Sequence, residues 1–429
     1  MLQSGEQLTL YLRGEESSFI RFNQGKVRQA GEVRQTVLTL RLIRDRRQAA
    51  MEIGLSGDLA NDRDAVAQAV ASLRPVLPAL PEDPQLELGP AAVLTERRPA
   101  RHPSAEAILT ELLEAGAGLD LVGILATGPM WTGMCSSVGH DYWSENSAFN
   151  LDWCAYCGGE GSSLAVKCNL AGEVWDPEAL REKIRFVRTQ LALLARPARV
   201  VPPGSYRTWF EPAAVGELLW LLNGLEGFSV RATRTATSPL LQLHQGCRTF
   251  SPKVSLWDDA SAGVAPRFDE EGFLRPDSLL LLDQGRPAEL LVSSRSAREF
   301  GVAANGAAVD ECAPSLLLAG GGVASKDILL RLNTGILVSN LWYLNLSDRN
   351  SARVTGMTRF ASFWVENGEI VCPIAAMRLD DSAYNLLGDA LEDLGEGPEV
   401  QLSTDTYFRR SNQGVTAPGA LVSAVTYTL

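Results

Sequence analysis

The sequence predicts an α+β protein of largely antiparallel sheets with packed helices and a β-rich C-terminal domain. Three observations carry this. Alternating branched and aromatic runs recur from the N-terminus onward, as in Gln7–Arg13 and Val33–Ile43. Only a few amphipathic stretches have the 3.6-residue period, and each carries its own start and stop residues. Beyond residue 225 strand patterns dominate, and Asn367-Gly368 between two apolar runs marks a hairpin with a type I′ turn.

Taken in order, Gln7–Arg13, Ser18–Asn23, Val33–Ile43 and Gln48–Leu55 read as a β-meander, with turns at Gly25, Gly31 and Arg44–Arg47. A short helix follows, with Val66, Val70 and Leu73 on one face and Asn61 or Asp62 as cap. Pro75, Pro78, Pro81 and Pro84 then form an extended connector. Ser104 caps a second helix that turns Ile108, Leu109, Leu112 and Leu113 inward. Leu119–Thr127, Ser147–Ala155 and Ser163–Asn169 read as strands. Asp176-Pro177 starts a long helix by the N-cap and N1 preference, with Leu180, Ile184, Val187, Leu191 and Leu194 on one face until Pro197. The last region opens with a strand at Tyr206–Phe210 and an apolar helix from about Ala213 to Leu225. Further helices are expected at Lys326–Leu332 and Tyr384–Leu394. Thr334–Leu346 reads as one long strand, Arg359–Val365 and Glu369–Ile374 as the hairpin, and Ala420–Leu429 as a terminal strand. The proline-rich breaks divide the chain into 1–85, 86–200 and 201–429.

Composition narrows the function. The chain of 429 residues is 45% hydrophobic and 21% charged, with a formal net charge of -12, so holding a phosphate backbone is not its expected business. One local exception exists: between Arg21 and Arg47 eight bases stand against Glu32 and Asp45, which reads as the wet face of an antiparallel sheet. No secretion signal or membrane span is visible, and seven scattered cysteines suit reduced thiols, so a cytoplasmic location is expected.

Catalytic motifs fail one by one. Cys154 and Cys157 form a C-x-x-C, but zinc needs four ligands and no second pair is present, so buried thiols are expected. His102, His140 and His244 are too scattered for a histidine metal helix. There is no G-x-S-x-G, Gly320–Gly322 lacks the Lys-Ser/Thr of a phosphate loop, and His140-Asp141 is not a triad. No catalytic or metal-binding residue is nominated. Trp342, Tyr343, Asn345, Arg353 and Arg359 are the candidates for binding a peptide or a partner along a sheet edge.

Several stretches resemble the TldD/PmbA family, peptidase-related proteins also called modulators of DNA gyrase: Ser18–Gln29, Phe149–Trp153, NLWYLN at 340–345, RVTGMTRFASFWVENGEI at 353–370, and Cys372–Arg378. The resemblance covers essentially the whole chain. It implies a cytoplasmic metalloprotease in which one subunit, TldD, carries His-Glu-x-x-x-His on a helix and pairs with a sibling, TldE or PmbA, that lacks it. Ungapped matching sets that helix against Gly216–Gly227, where Trp220, Leu221 and Leu225 fall at the His, Glu and His positions. The resemblance therefore implies a TldE/PmbA-like chain with no cofactor of its own, inactive alone, whose zinc would reside in a TldD-like partner. A heterodimer with such a subunit or a homodimer is expected, with unfolded or leader peptides as substrates. The alternatives are a self-sufficient peptidase built around Cys154, Cys157 and His140, and a nucleic-acid or gyrase modulator.

Overall fold

The structure, a computed structural model, describes residues 2–158 and 164–429. Its first layer is a seven-stranded sheet of β1 (Gln7–Asn23), β2 (Lys26–Arg44), β3 (Arg47–Gly54), β4 (Val93–Arg97), β5 (Asp120–Ser136), β6 (Asp141–Tyr156) and β7 (Ala165–Gly172). Spatial order is β3-β2-β1-β5-β6-β4, with β7 also on β6 and only β4 running parallel to its neighbour. Strands from both sides of the proline connector thus enter one sheet.

Two expected strands merge here. Gln7–Arg13 and Ser18–Asn23 are one 17-residue strand, because Gly14 stays in register opposite Thr36 and Trp131 while Gly31 pairs with Phe19. The reversal falls at Gln24-Gly25, with φ of 51° and 66°, the two positive angles a tight hairpin needs. β2 outruns its neighbour: β3 covers it only from Val37 to Arg44, so no strand among the described residues pairs with its outer edge from Lys26 to Gln35. Ser163 of the expected third strand lies outside the described residues; β7 begins at Ala165.

Three helices, α1 (Leu59–Leu73), α2 (Ala105–Ala115) and α3 (Pro177–Leu194), cover this sheet. Ser104 Oγ accepts from Ala107 N and Asp176 accepts from Glu178 N, as their positions predict. For α1 the cap is Asp58, which accepts from Asn61 N, whereas Asp62 turns back to accept from the backbone of Ser56 and Gly57. Apolar residues of α2 and α3 share a core with Phe149, Leu151 and Trp153 of β6 and, beyond them, with Trp209, Leu337, Phe363 and Leu421 of the C-terminal region.

That region holds a nine-stranded and a six-stranded sheet. The larger centres on β8 (Gly204–Phe210) and the terminal strand Ala420–Tyr427, and ends at an outer strand, Trp342–Asp348, which among the described residues pairs only with Arg353–Met357. The helix α4 (Pro212–Gly224) follows β8. The Ser362–Glu366 and Glu369–Pro373 hairpin forms as predicted, with Asn367 and Gly368 at φ 52° and 80°. Two expectations fail. Thr334–Leu346 breaks into Gly335–Val338 and Trp342–Asp348, for a reason given below. Tyr384–Leu394 is helical only in its first half: a short π-helix, Asn385–Asp389, gives way to a strand, Leu391–Leu394, whose pairing with Ala420–Val422 overrides local helix preference.

One buried cation ties the layers together. The β1–β5 ladder is interrupted between Glu15↔Met130 and Ser18↔Thr127, where Gly128 takes φ +134° and Pro129 removes a donor from a central strand. Arg410 fills the gap: its guanidinium donates to Ala148 O at 2.7 Å, Gly128 O at 3.1 Å and Ser17 Oγ at 3.4 Å. Burial pushes its pKa down to about 10, and the Glu15 charge opposes this. Replacing Arg410 with Met would strand these acceptors and is expected to cost roughly 2–4 kcal/mol, read as a lower midpoint in urea unfolding. A midpoint within error of the wild type would show that the guanidinium does not hold the layers.

Candidate functional site

A cleft of about 1270 Å³ opens between α3, β7, α4 and residues 395–407. Its walls follow from helix periodicity. On α3, Ala179, Glu182, Lys183, Phe186 and Gln190 fall at spacings that keep them on one face, beside the apolar face that packs inward, with Gln190 buried at the boundary. On α4, Ala214, Val215, Leu218, Leu219 and Leu222 are buried in the core, while Gly216, Glu217 and Trp220 line the cleft. Gly216 lets Gln401 pack closely here: a Cβ would stand 2.3 Å from the end of the Gln401 side chain, which donates to Pro212 O, and would displace it.

Two carboxyls dominate the electrostatics. Burial pushes the Glu217 carboxyl up to about 7, against the pull of Lys167, and burial likewise pushes Glu211 up to about 7. Neither forms an ion pair among the described residues, whereas Lys183 sits 2.7 Å from Glu399 and Lys167 3.8 Å from Asp152. Glu217 Oε2 accepts from Leu341 N at 2.6 Å. This bond explains the broken strand. The N–H that would continue the ladder is taken by a carboxylate 124 residues away, and Ser339 and Asn340 are turned into the cleft wall.

Trp220, Leu221 and Leu225, matched above to a His-Glu-x-x-x-His helix, are respectively a cleft-lining indole, a leucine packed against the core and the residue at the end of α4. None carries a donor that ligates zinc, and among the described residues no three His, Cys, Asp or Glu side chains converge as a metal site. The residues present do not fit a catalytic metal. The apolar helix expected here packs into the core on one face only, because its second face is a site wall.

The other sequence candidates lie elsewhere. Cys154 and Cys157 are half-buried, and burial raises the Cys154 thiol to about 11, the opposite of an activated nucleophile. His140, in the connection between β5 and β6, is a buried latch between Ser136 Oγ at 2.7 Å and Gly89 O at 2.8 Å. Of the five binding candidates, Trp342, Tyr343 and Asn345 lie on the outer strand and Arg353 on its single neighbour. The Arg359 guanidinium stacks 3.9 Å over the Trp342 ring, Tyr343 is 75% exposed, and Arg353 is drawn to Asp380 at 2.5 Å. The structure groups Trp342, Tyr343 and Arg359, and directs Arg353 to a partner of its own.

Sequence reasoning missed Glu211, Glu217 and Gln190. The available signal was a lone carboxylate inside the apolar run AAVGELLWLL, a residue that only a polar cavity or a specific partner makes tolerable.

Comparison with known proteins agrees with the architecture. Residues 203–428 match the family model described as the PmbA/TldA metallopeptidase C-terminal domain. No match is found among curated proteins. Among solved structures, TldE from Thermococcus kodakarensis superposes with a TM-score of 0.80 at 15% identity, covering 99% of this chain and 97% of that one. A proposed modulator of a DNA gyrase from Thermotoga maritima gives 0.76 at 16% identity, with 99% and 96% covered. A similarly described protein from Bacteroides thetaiotaomicron gives 0.72 at 16%, with 99% and 94% covered.

The raised carboxyls make a pH prediction. A carboxyl whose folded pKa lies above its unfolded value adds stability in full below about 4.5, and loses it as pH rises through about 7. Glu211→Gln with Glu217→Gln removes that titration. Relative to the wild type, the double variant should therefore gain roughly 1–2 kcal/mol between pH 5 and 8, after discounting for water in the open cleft. Parallel melting curves across that range would show that these carboxyls titrate normally.

Proposed function

Because the chain belongs to the TldD/PmbA metallopeptidase family, we propose that it is the non-catalytic, TldE/PmbA-like subunit of a TldD/TldE-type peptidase, working in the cytoplasm on unfolded or leader peptides. The observation that carries this reading is α4. It occupies the position matched to the family's metal helix, yet presents Trp220 to the cleft where an imidazole would be needed. None of the three histidines is followed by glutamate, so the His-Glu pair occurs nowhere in the sequence.

In this role the chain's residues bind and orient. The cleft would take a stretch of peptide, and the unpaired edge of Trp342–Asp348 would add main-chain hydrogen bonds to an extended strand from a substrate or a partner. Trp342 follows Asn340 of the cleft wall by two residues, so edge and cleft are continuous along the chain. Trp342, Tyr343, Asn345, Arg353 and Arg359 would rim this surface. The zinc and the bond-breaking chemistry would come from a TldD-like partner, and a homodimer would leave the assembly without them.

Purified alone, the chain is expected to carry no stoichiometric metal in elemental analysis and to leave unfolded peptides intact. Adding a sibling that bears His-Glu-x-x-x-His should raise hydrolysis above that of the sibling alone. Chelator-sensitive hydrolysis by the isolated chain would overturn the reading.

A further inference from the structure

We propose that the cleft between α3 and α4 selects a cationic segment of extended peptide, seating a lysine or arginine side chain or an amino terminus against Glu211 and Glu217. This rests on the peptide-handling reading and adds the chemistry of what is held.

The charges in the cleft are unequal. α3 contributes Glu182 and Lys183, the first sheet contributes Asp152 and Lys167, and α4 with its capping residue contributes Glu217 and Glu211. The facing wall adds Glu396, Glu399 and Asp405, making seven carboxylates against two lysines. Both lysines already face acids, Asp152 and Glu399, which leaves the α4 carboxyls without a cation. Like-signed charges around a concave, half-enclosed surface concentrate the field and draw the opposite charge inward.

Unmet hydrogen-bonding capacity points the same way. Gln190 and Ser339 border the cleft and are only 5% and 6% exposed, and Gln190 Oε1 and Ser339 Oγ, buried in its wall, have no partner among the described residues. A buried amide oxygen without a donor is costly to keep, and its complement is an N–H. Ammonium and guanidinium groups bring several donors and no acceptor, matching the carboxylates and the orphan oxygen together.

The cleft does not offer a metal site, since among the described residues no three His, Cys, Asp or Glu side chains converge to hold an ion. Glu211, which caps α4, and Glu217 within it stand six residues apart in the sequence, ~9 Å of helix rise. About three residues of extended peptide span the same distance.

The test uses the isolated full-length chain and three probes: a labelled peptide with alternating lysines, its glutamate counterpart, and spermidine. The lysine peptide should bind at least about tenfold more tightly than the glutamate peptide at pH 8. The preference should shrink as pH falls through 7 and collapse in Glu211→Gln/Glu217→Gln. Glu217→Lys, checked for a wild-type melting curve, should reverse it. Equal binding of the two peptides, or a preference that survives both variants, would overturn the proposal. Spermidine binding as tightly as the lysine peptide would overturn the assignment to a peptide. Because no sibling is present, the outcome is independent of the subunit role: selective binding without restored proteolysis would refute that role alone.

Discussion

The guanidinium of Arg410, buried where a glycine and a proline interrupt the β1–β5 ladder, is the constraint on which the rest of the arrangement depends. A central strand interrupted by Pro129 would normally leave carbonyls without donors in a dry interior. Arg410 supplies those donors from 282 residues away and in doing so fixes the segment that leads into the cleft wall. Asn150 reinforces it, donating from β6 to Leu402 O at 3.2 Å and Ser403 O at 3.1 Å. The first sheet therefore sets the position of the wall that faces α4. Removing charge at this seam would affect both layers, since each satisfies the other's polar groups.

Helix α4 shows how one element serves two environments. Its apolar face belongs to the C-terminal core, and its other face carries a carboxyl, an indole and a glycine. The carboxyl does structural and electrostatic work together. By accepting from Leu341 N it ends one strand early and starts the outer strand at Trp342. The same contact holds the carboxyl within a poorly solvated wall, where its ionised form is disfavoured. The site and the break in the sheet are thus one feature.

Locally encoded structure was legible in the sequence, and structure imposed from a distance was not. Ser104, Asp176-Pro177 and Asn367-Gly368 state their caps and turns within a few residues, and each is found where expected. The α+β class with dominant antiparallel pairing also followed from the alternating runs. The break after Val338 was invisible because its cause lies on α4. The strand at Leu391–Leu394 was hidden because its partner is the C-terminal strand. The family was readable from motifs, since the positions that would bear a metal are a matter of residue identity. The cleft was not, because Glu211, Glu217, Gln190 and Ser339 come together only after three elements pack.

The open margin of β2 has a consequence for how the protein behaves in a crowded solution. From Lys26 to Gln35 the strand's outer margin pairs with no strand among the described residues, and every residue from Lys26 to Glu32 is exposed. Such a margin is a template for uncontrolled self-association. Lys26, Arg28 and Arg34 stand along it, so a second copy approaching with the same margin meets its own charge. The cations of this hairpin then act as a guard against edge-to-edge stacking of one copy on another.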